Sequence, residues 1–199
     1  MHLSFPLVIM MAGLVLCGCK SGGNNPAPNN PPIGIHADIV VQTRNNALSL
    51  LYQILSDEQN VSKLLIIKLE RKELHDVIKK VSVRSGQMVT TLEQLSQADR
   101  TLNLKSTELP PGEKAARDAQ SKTVTKELLH TGGTDFEFKL LLTQAEAMEY
   151  GSNLAKVAAA NESDAGRRKQ IADISTQLQS LFEDVTRLLR HPESAAARK

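Results

Sequence analysis

The chain has few of the residues on which covalent or thiol-based chemistry depends. It contains two cysteines, no tryptophan and only 3% aromatic residues. Both cysteines, Cys17 and Cys19, lie near the N-terminus, so the rest of the chain has no thiol for a disulfide, a metal site or a nucleophile. Packing alone must therefore hold the body together. The net charge of +2 is too small to indicate nucleic acid as a partner.

Proline and glycine are scarce in the body of the chain and concentrated near its beginning. The segment Ser21–Pro32 consists mainly of Asn, Pro and Gly, and apart from proline it has no apolar residue larger than alanine. Such a segment is too polar and too rich in proline to pack into a core. It predicts a semi-extended tether, which we place, together with Cys19, over 19–37.

An apolar run, Phe5–Leu16, precedes the tether. It is shorter than the roughly 20 residues that a membrane-spanning helix needs, and its length is typical of a signal-peptide core. The residues that follow, Leu16-Cys17-Gly18-Cys19, resemble the lipobox of bacterial lipoproteins, with Leu at the third position before the lipidated Cys and a small residue directly before it. The sequence therefore predicts a lipoprotein signal peptide over 1–18.

The lipobox resemblance implies that the thiol of Cys19 receives a diacylglycerol group. Cys17 fits less well, because cleavage would then follow the bulky Leu16. Two or three acyl chains anchor a protein stably, whereas one chain binds only marginally. Lys20 follows the cysteine and resembles the outer-membrane class of lipoproteins. We expect an outer-membrane anchor with the body in the periplasm, and anchoring to the inner membrane or the cell surface stays open.

The body has the composition and periodicity of an all-α protein. One apolar row repeats every seven residues: Ile67, Leu74, Val81, Met88, Leu95 and Leu102. The second row, four residues further on, has Ile78 and Leu92 but is polar at Arg71, Ser85 and Asp99. Near the C-terminus a cleaner stripe alternates three and four residues apart: Ile171, Ile174, Leu178, Leu181, Val185 and Leu188. These patterns predict helices that pack along apolar seams.

Three breaks, at 110–112, 131–133 and 161–164, divide the body. We predict helices at 38–55, 57–105, 113–130, 135–160 and 164–190. Ser56–Gln59 resembles a capping box at the start of the second helix. That helix would be unusually long, and a break at 82–86 is the alternative. The expected architecture is an antiparallel helical bundle of four to five helices over 38–190, with a disordered tail over 191–199.

A compact basic patch, Arg167, Arg168 and Lys169, lies at the start of the last helix. Cations there oppose the helix dipole, so the patch indicates a possible contact with an anionic partner, such as lipid head groups, lipopolysaccharide phosphates or an acidic protein. The alternative is a solvated face on which Glu162 and Asp164 reach the basic side chains.

Two further features point to the bundle interior. Glu127–His130 is a single Glu-x-x-His motif, whereas di-iron bundles use two such motifs. We therefore expect no metal site, no cofactor and no catalytic residue. Tyr150 and Gly151 lie among small residues, for which we expect core packing, with a ligand groove beside Gly151 as the alternative.

The helix order, together with the segments Leu55–Gln59 and Asp135–Glu137, is similar to that of uncharacterised ferritin-like helical bundles exported by bacteria. The resemblance implies a helical-bundle fold. Those families often carry histidines on the third and fourth helices. Here Gln144, Ala145 and Glu146 occupy the comparable region, so no metal or redox site is carried over.

Taken together, the sequence predicts a membrane-anchored bacterial lipoprotein that acts as a non-enzymatic scaffold or binding module in the cell envelope. The alternative function is a small-molecule, lipid or metal binder that uses the bundle interior. An envelope protein is a possible partner, and the oligomeric state stays open.

Overall fold

The structure is a computed structural model, and it describes residues 33–66, 71–105 and 109–190. Side chains are described from Ala37 onward, except that of Ile66. The predicted signal peptide, the predicted lipidation site Cys19, the predicted tether up to Pro32 and the tail 191–199 lie outside the described residues.

Helices dominate the described ranges, which contain no strand. The elements are α1 (Ile33–Glu58), a 3-10 helix (Val61–Ile66), α2 (Lys72–Ala98), α3 (Pro111–His130), α4 (Gly133–Ala160) and α5 (Ala165–Arg190). The predicted all-α helical bundle is confirmed. Helix α1 begins at Ile33, within the range that we predicted to be tether.

Four helices, α1, α2, α4 and α5, enclose the core. Helix α1 packs against α2 and α4, and α5 packs against α4 and α2, so that α1 and α5 lie diagonally opposite. Each neighbouring pair is antiparallel. The predicted apolar rows face inward: Leu74, Val81, Met88, Leu95 and Leu102 are buried, as are Ile171, Ile174, Leu178, Leu181 and Val185. Burial of these side chains is the main favourable contribution to folding.

Helix α3 lies outside this four-helix core. Its buried residues are Ser121 and Leu128, and the rest of its side chains are exposed or half-buried. An amphipathic helix normally owes its stability to a packed apolar face, so α3 is held more weakly than the other helices. No helix within the described ranges is long and apolar enough to cross a membrane.

The predicted long helix over 57–105 is wrong at both ends. Helix α1 continues to Glu58, a 3-10 helix follows, and α2 begins only at Lys72. After Ala98, Asp99 Oδ1 accepts a hydrogen bond from the backbone N–H of Thr101 at 2.9 Å, which turns the chain. That turn buries Leu102 against the core. Between these ends α2 runs without interruption through Gly86, so continuity across 82–86 is confirmed.

The predicted capping box at Ser56–Gln59 is also wrong, because it lies at the end of a helix instead of the beginning. Ser56 Oγ donates to the carbonyl of Tyr52 at 2.6 Å, inside α1. The Asn60 side-chain amide donates to the carbonyl of Ser56 at 3.0 Å. The carbonyl of Ser56 is one that the last turn of α1 leaves without a helical partner, and the Asn60 side chain satisfies it. The same residue types thus serve the C-terminus of a helix.

Two helical glycines differ in the space around them. A Cβ added to Gly151 of α4 would lie 3.2 Å from Leu178 Cδ1 and 3.6 Å from Leu51 Cδ1. A Cβ added to Gly86 of α2 would meet its nearest atom, Gln59 Oε1, at 3.7 Å. Gly151 therefore allows α1 and α5 to approach α4 closely, whereas Gly86 has room for a methyl group.

We expect Gly86→Ala to raise the free energy of unfolding by about 0.5–1 kcal/mol, because alanine is the better helix former. Gly151→Ala should gain less or lose stability, because the new methyl group must displace Leu178. Urea denaturation followed by circular dichroism measures both changes. Equal gains at the two positions would contradict the close packing at Gly151.

Candidate functional site

Four charged side chains meet at the end of the bundle where α1 enters it, and we call them the ionic cluster: Arg44, Asp99, Glu162 and Arg167. Arg44 and Glu162 are 4% and 2% exposed, and Arg44 Nη1 lies 3.2 Å from Glu162 Oε2. Arg167 Nη2 lies 2.8 Å from Glu162 Oε1 and 3.2 Å from Asp99 Oδ2. The cluster therefore joins α1, the residue after α2, the α4–α5 turn and the first turn of α5.

Both carboxylates of the ionic cluster are held in the charged form. Burial by itself raises the pKa of Glu162, but hydrogen bonds from Arg167 and from the backbone of Asp164, with the nearby positive charge of Arg44, bring the pKa below its ordinary value. The hydrogen bonds from Thr101 lower the pKa of Asp99. Two cations thus face two anions, and the buried charge is balanced.

The three predicted basic residues do not form one free patch. Arg167 belongs to the ionic cluster. Arg168 donates from Nε to the carbonyl of Glu162 and from Nη2 to that of Ser163, each at 2.9 Å. Lys169 Nζ lies 2.7 Å from Asp173 Oδ2, on the surface of α5. Internal contacts account for these cations, and a further contact with an anionic partner stays a prediction.

The start of α5 is capped by Asp164, whose Oδ1 accepts from the backbone N–H of Arg167 at 2.8 Å. A carboxylate at this position satisfies an N–H group that the helix itself cannot pair, and it offsets the unfavourable cations of the first turn. The unfavourable interaction of these cations with the helix dipole, which the sequence pattern indicated, is therefore offset within the α4–α5 turn.

A groove of about 330 Å³ lies between α1 and α3, and we call it the α1–α3 groove. Its lining combines apolar side chains with a charged rim: Leu50, Tyr52, Gln53, Ile54, Ser56 and Asp57 on α1, and Leu109, Lys114, Arg117 and Asp118 at or before α3. This volume falls at the lower end of the range for small-ligand pockets. An apolar floor with a polar rim suits an amphipathic group.

The rim of the α1–α3 groove is held by hydrogen bonds. Tyr52 donates to Glu93 Oε1 at 2.7 Å, and this bond raises the pKa of Tyr52. Arg117 Nε donates to Glu113 Oε1 at 2.6 Å, and its guanidinium carbon lies 6.0 Å from the ring centroid of Tyr150, within the range of a cation–π contact. These contacts fix the polar groups that a bound partner would meet.

The interior positions considered from sequence have other roles. Gly151 packs directly against Leu51 and Leu178. The alternative prediction of a ligand groove beside Gly151 is therefore wrong. Glu127 Oε2 lies 2.9 Å from Lys139 Nζ, and His130 Nδ1 lies 2.7 Å from the carbonyl of Lys126. Within the described part of the chain, no group of three or more His, Cys, Asp or Glu side chains is placed to hold a metal ion.

Sequence reasoning missed three buried polar residues in the core. Glu58, Ser85 and Gln144 are each 1% exposed or less. Ser85 gave a signal, because it interrupts the second apolar row of α2. Glu58 was assigned to a capping box, and Gln144 sits in a helix whose other inward positions are mostly apolar, with Thr143 and Ser152 as exceptions, so neither was marked as a core residue.

Comparisons with protein-family models, with curated proteins and with solved structures found no significant match to this chain. The resemblances to lipoproteins and to exported ferritin-like bundles therefore stay predictions.

Removing one partner from the ionic cluster should destabilise the bundle strongly. We expect Glu162→Gln to lower the free energy of unfolding by about 3 kcal/mol, because Arg44 is left buried without its anion. The matched control is Asp173→Asn, which removes an exposed ion pair and should cost less than about 0.5 kcal/mol. Urea denaturation compares the two. Similar small losses would mean that Arg44 is solvated in the folded state.

Proposed function

We propose that this protein is a lipid-anchored bacterial lipoprotein whose helical bundle acts as a non-enzymatic scaffold or binding module in the cell envelope. The observation that carries the proposal is the segment Leu16-Cys17-Gly18-Cys19 after an apolar run. The Asn-rich and Pro-rich segment that follows would form the tether between the lipid and the bundle.

The position of α1 is consistent with such a tether. Fully extended, the chain from Cys19 to Ile33 would span about 45 Å, at about 3.3 Å per residue. The tether would reach the bundle at the end closed by the ionic cluster. Arg168 and Lys169 are exposed at this same end, where a contact with anionic head groups would be made.

The α1–α3 groove is the binding surface that we propose for the module. It is open, it has an apolar floor, and one of its walls is the weakly packed helix α3. Because α3 buries little of its own surface, it can adjust to an occupant at small energetic cost. An amphipathic segment of an envelope protein is the occupant that this lining suits.

Lipidation at Cys19 gives a sharp test with a matched control. We expect the intact protein and the Cys17→Ala variant to incorporate labelled palmitate in a bacterial host and to fractionate with membranes. Cys19→Ala should do neither, because the acceptor thiol is gone. Autoradiography and mass spectrometry of the fractions measure the outcome. Label on Cys19→Ala, or no label on the intact protein, would contradict the lipoprotein proposal.

The proposed binding surface is tested by placing a photo-crosslinking residue at Gln53, which is exposed in the α1–α3 groove. The matched control is Gln177, an exposed glutamine of α5, the helix diagonal to α1. We expect a discrete adduct from envelope membranes at Gln53 and none at Gln177. The same adducts at both positions, or none at either, would argue against the groove.

A further inference from the structure

Three polar side chains on three different helices are buried in the core, and we call them the polar layer: Glu58 of α1, Ser85 of α2 and Gln144 of α4. Glu58 is 1% exposed, and the other two are fully buried. Glu58 Oε2 and Ser85 Oγ have no hydrogen-bond partner among the described residues, and the amide of Gln144 has none there other than the carboxyl of Glu58. Buried polar atoms are nearly always paired in native proteins, so this concentration at one place needs a physical explanation.

The register of the helices places the three residues at one level of the bundle. The carboxyl of Glu58 and the amide of Gln144 are close enough for the amide to stabilise the charged form of the carboxyl. On α2, Ser82 Oγ donates to the carbonyl of Gln59, and Gly86 faces the Gln59 side chain. Ser85 lies between Ser82 and Gly86 on α2 and is fully buried, so the register places it close to the level of Glu58.

The carboxyl of Glu58 is neutral at pH 7. Burial raises its pKa to about 8, the amide of Gln144 opposes this rise, and the negative charge of Asp57 on the same helix adds to it. Among the described residues of α2, α4, α5 and the 3-10 helix, no charged group contributes to this shift. A protonated carboxyl supplies one O–H donor and keeps an acceptor oxygen, so the polar layer is uncharged and rich in both donors and acceptors.

We propose that the polar layer is an internal hydration site, in which bound water joins the carboxylic acid of Glu58 to the hydroxyl of Ser85 and the amide of Gln144. A buried water makes about three hydrogen bonds to polar groups that otherwise have no partner, and the layer offers that number of side chains. A hard cation suits the site less well, because such ions bind several negatively charged oxygens and the layer has one carboxyl. The inference is independent of lipidation.

Nuclear magnetic resonance tests the bound water directly. In the purified full-length protein, we expect cross-relaxation between water and the side-chain amide protons of Gln144. The triple variant Glu58→Leu/Ser85→Ala/Gln144→Leu removes the polar layer, and its apolar core should show no water signal at this level. No signal in the unmodified protein, or one stoichiometric metal ion per chain by elemental analysis, would overturn the proposal.

The protonation of Glu58 gives a second test. Its folded-state pKa is about 8 and its ordinary value is 4.5, so the folded form holds a proton that the unfolded form loses between these values. The stability contribution is complete below about pH 4.5 and declines as the pH rises to about 8. The urea midpoint should therefore fall over this range in the unmodified protein.

The isosteric variant Glu58→Gln cannot ionise, so its urea midpoint should be less sensitive to pH over the same range and should exceed that of the unmodified protein at pH 8. Ser85→Ala keeps the carboxyl and should keep the pH dependence, which separates ionisation from a general loss of packing. If Glu58→Gln and the unmodified protein show the same pH dependence, Glu58 is not held neutral and the hydration site is wrong. If Glu58→Gln fails to fold, loss of the pH dependence in Ser85→Ala overturns the proposal equally.

Discussion

The ion pair between Arg44 and Glu162 sets the register on which the other contacts of the bundle depend. Apolar rows alone allow neighbouring helices to slide by one turn and still bury leucine against leucine. A buried charge does not tolerate this slide, because the partner left behind stays desolvated without compensation. With Arg44 fixed against Glu162, Leu51 meets Gly151 further along α1, and Glu58 reaches Gln144 beyond that. The pairing of residues along α1 and α4 thus follows from the contact between Arg44 and Glu162 at one end of the bundle.

The polar residues in the second row of α2 mark places where this register is fixed. Asp99 pairs with Arg167 of α5, and Arg71 Nε lies 2.6 Å from Glu137 Oε2 of α4. Ser85 lies between them in the polar layer. The interruptions at Arg71 and Asp99 therefore correspond to ion pairs with another helix, which an apolar residue could not form. Buried polar groups of this kind specify one arrangement of helices among several of similar apolar burial.

Local patterns were enough to predict which residues of α2 and α5 face the core, because seven-residue spacing requires only neighbours on the same helix. They were not enough to predict where α2 ends. The turn at Asp99 depends on Thr101 and on Arg44, which donates from Nη2 to the carbonyl of Thr101 at 3.2 Å from a distant part of the chain. The pairing of Arg167 with Asp99 was hidden for the same reason, since Asp99 lies beyond α2, whereas the contact of Arg167 with Glu162 is the alternative that the sequence offered. The α1–α3 groove likewise depends on where α3 packs. The sequence of α3 has no strong apolar face from which that position could be predicted.

The loose attachment of α3 and the absence of tryptophan together give the protein an intrinsic optical probe. The chain has two tyrosines, and both lie beside α3: Tyr52 lines the α1–α3 groove, and Tyr150 lies beneath Arg117 of that helix. The intrinsic ultraviolet fluorescence of the protein therefore comes from two tyrosines that both lie beside one helix. Detachment of α3 changes the solvent around both fluorophores while the four-helix core stays folded, so the motion can be followed without labels.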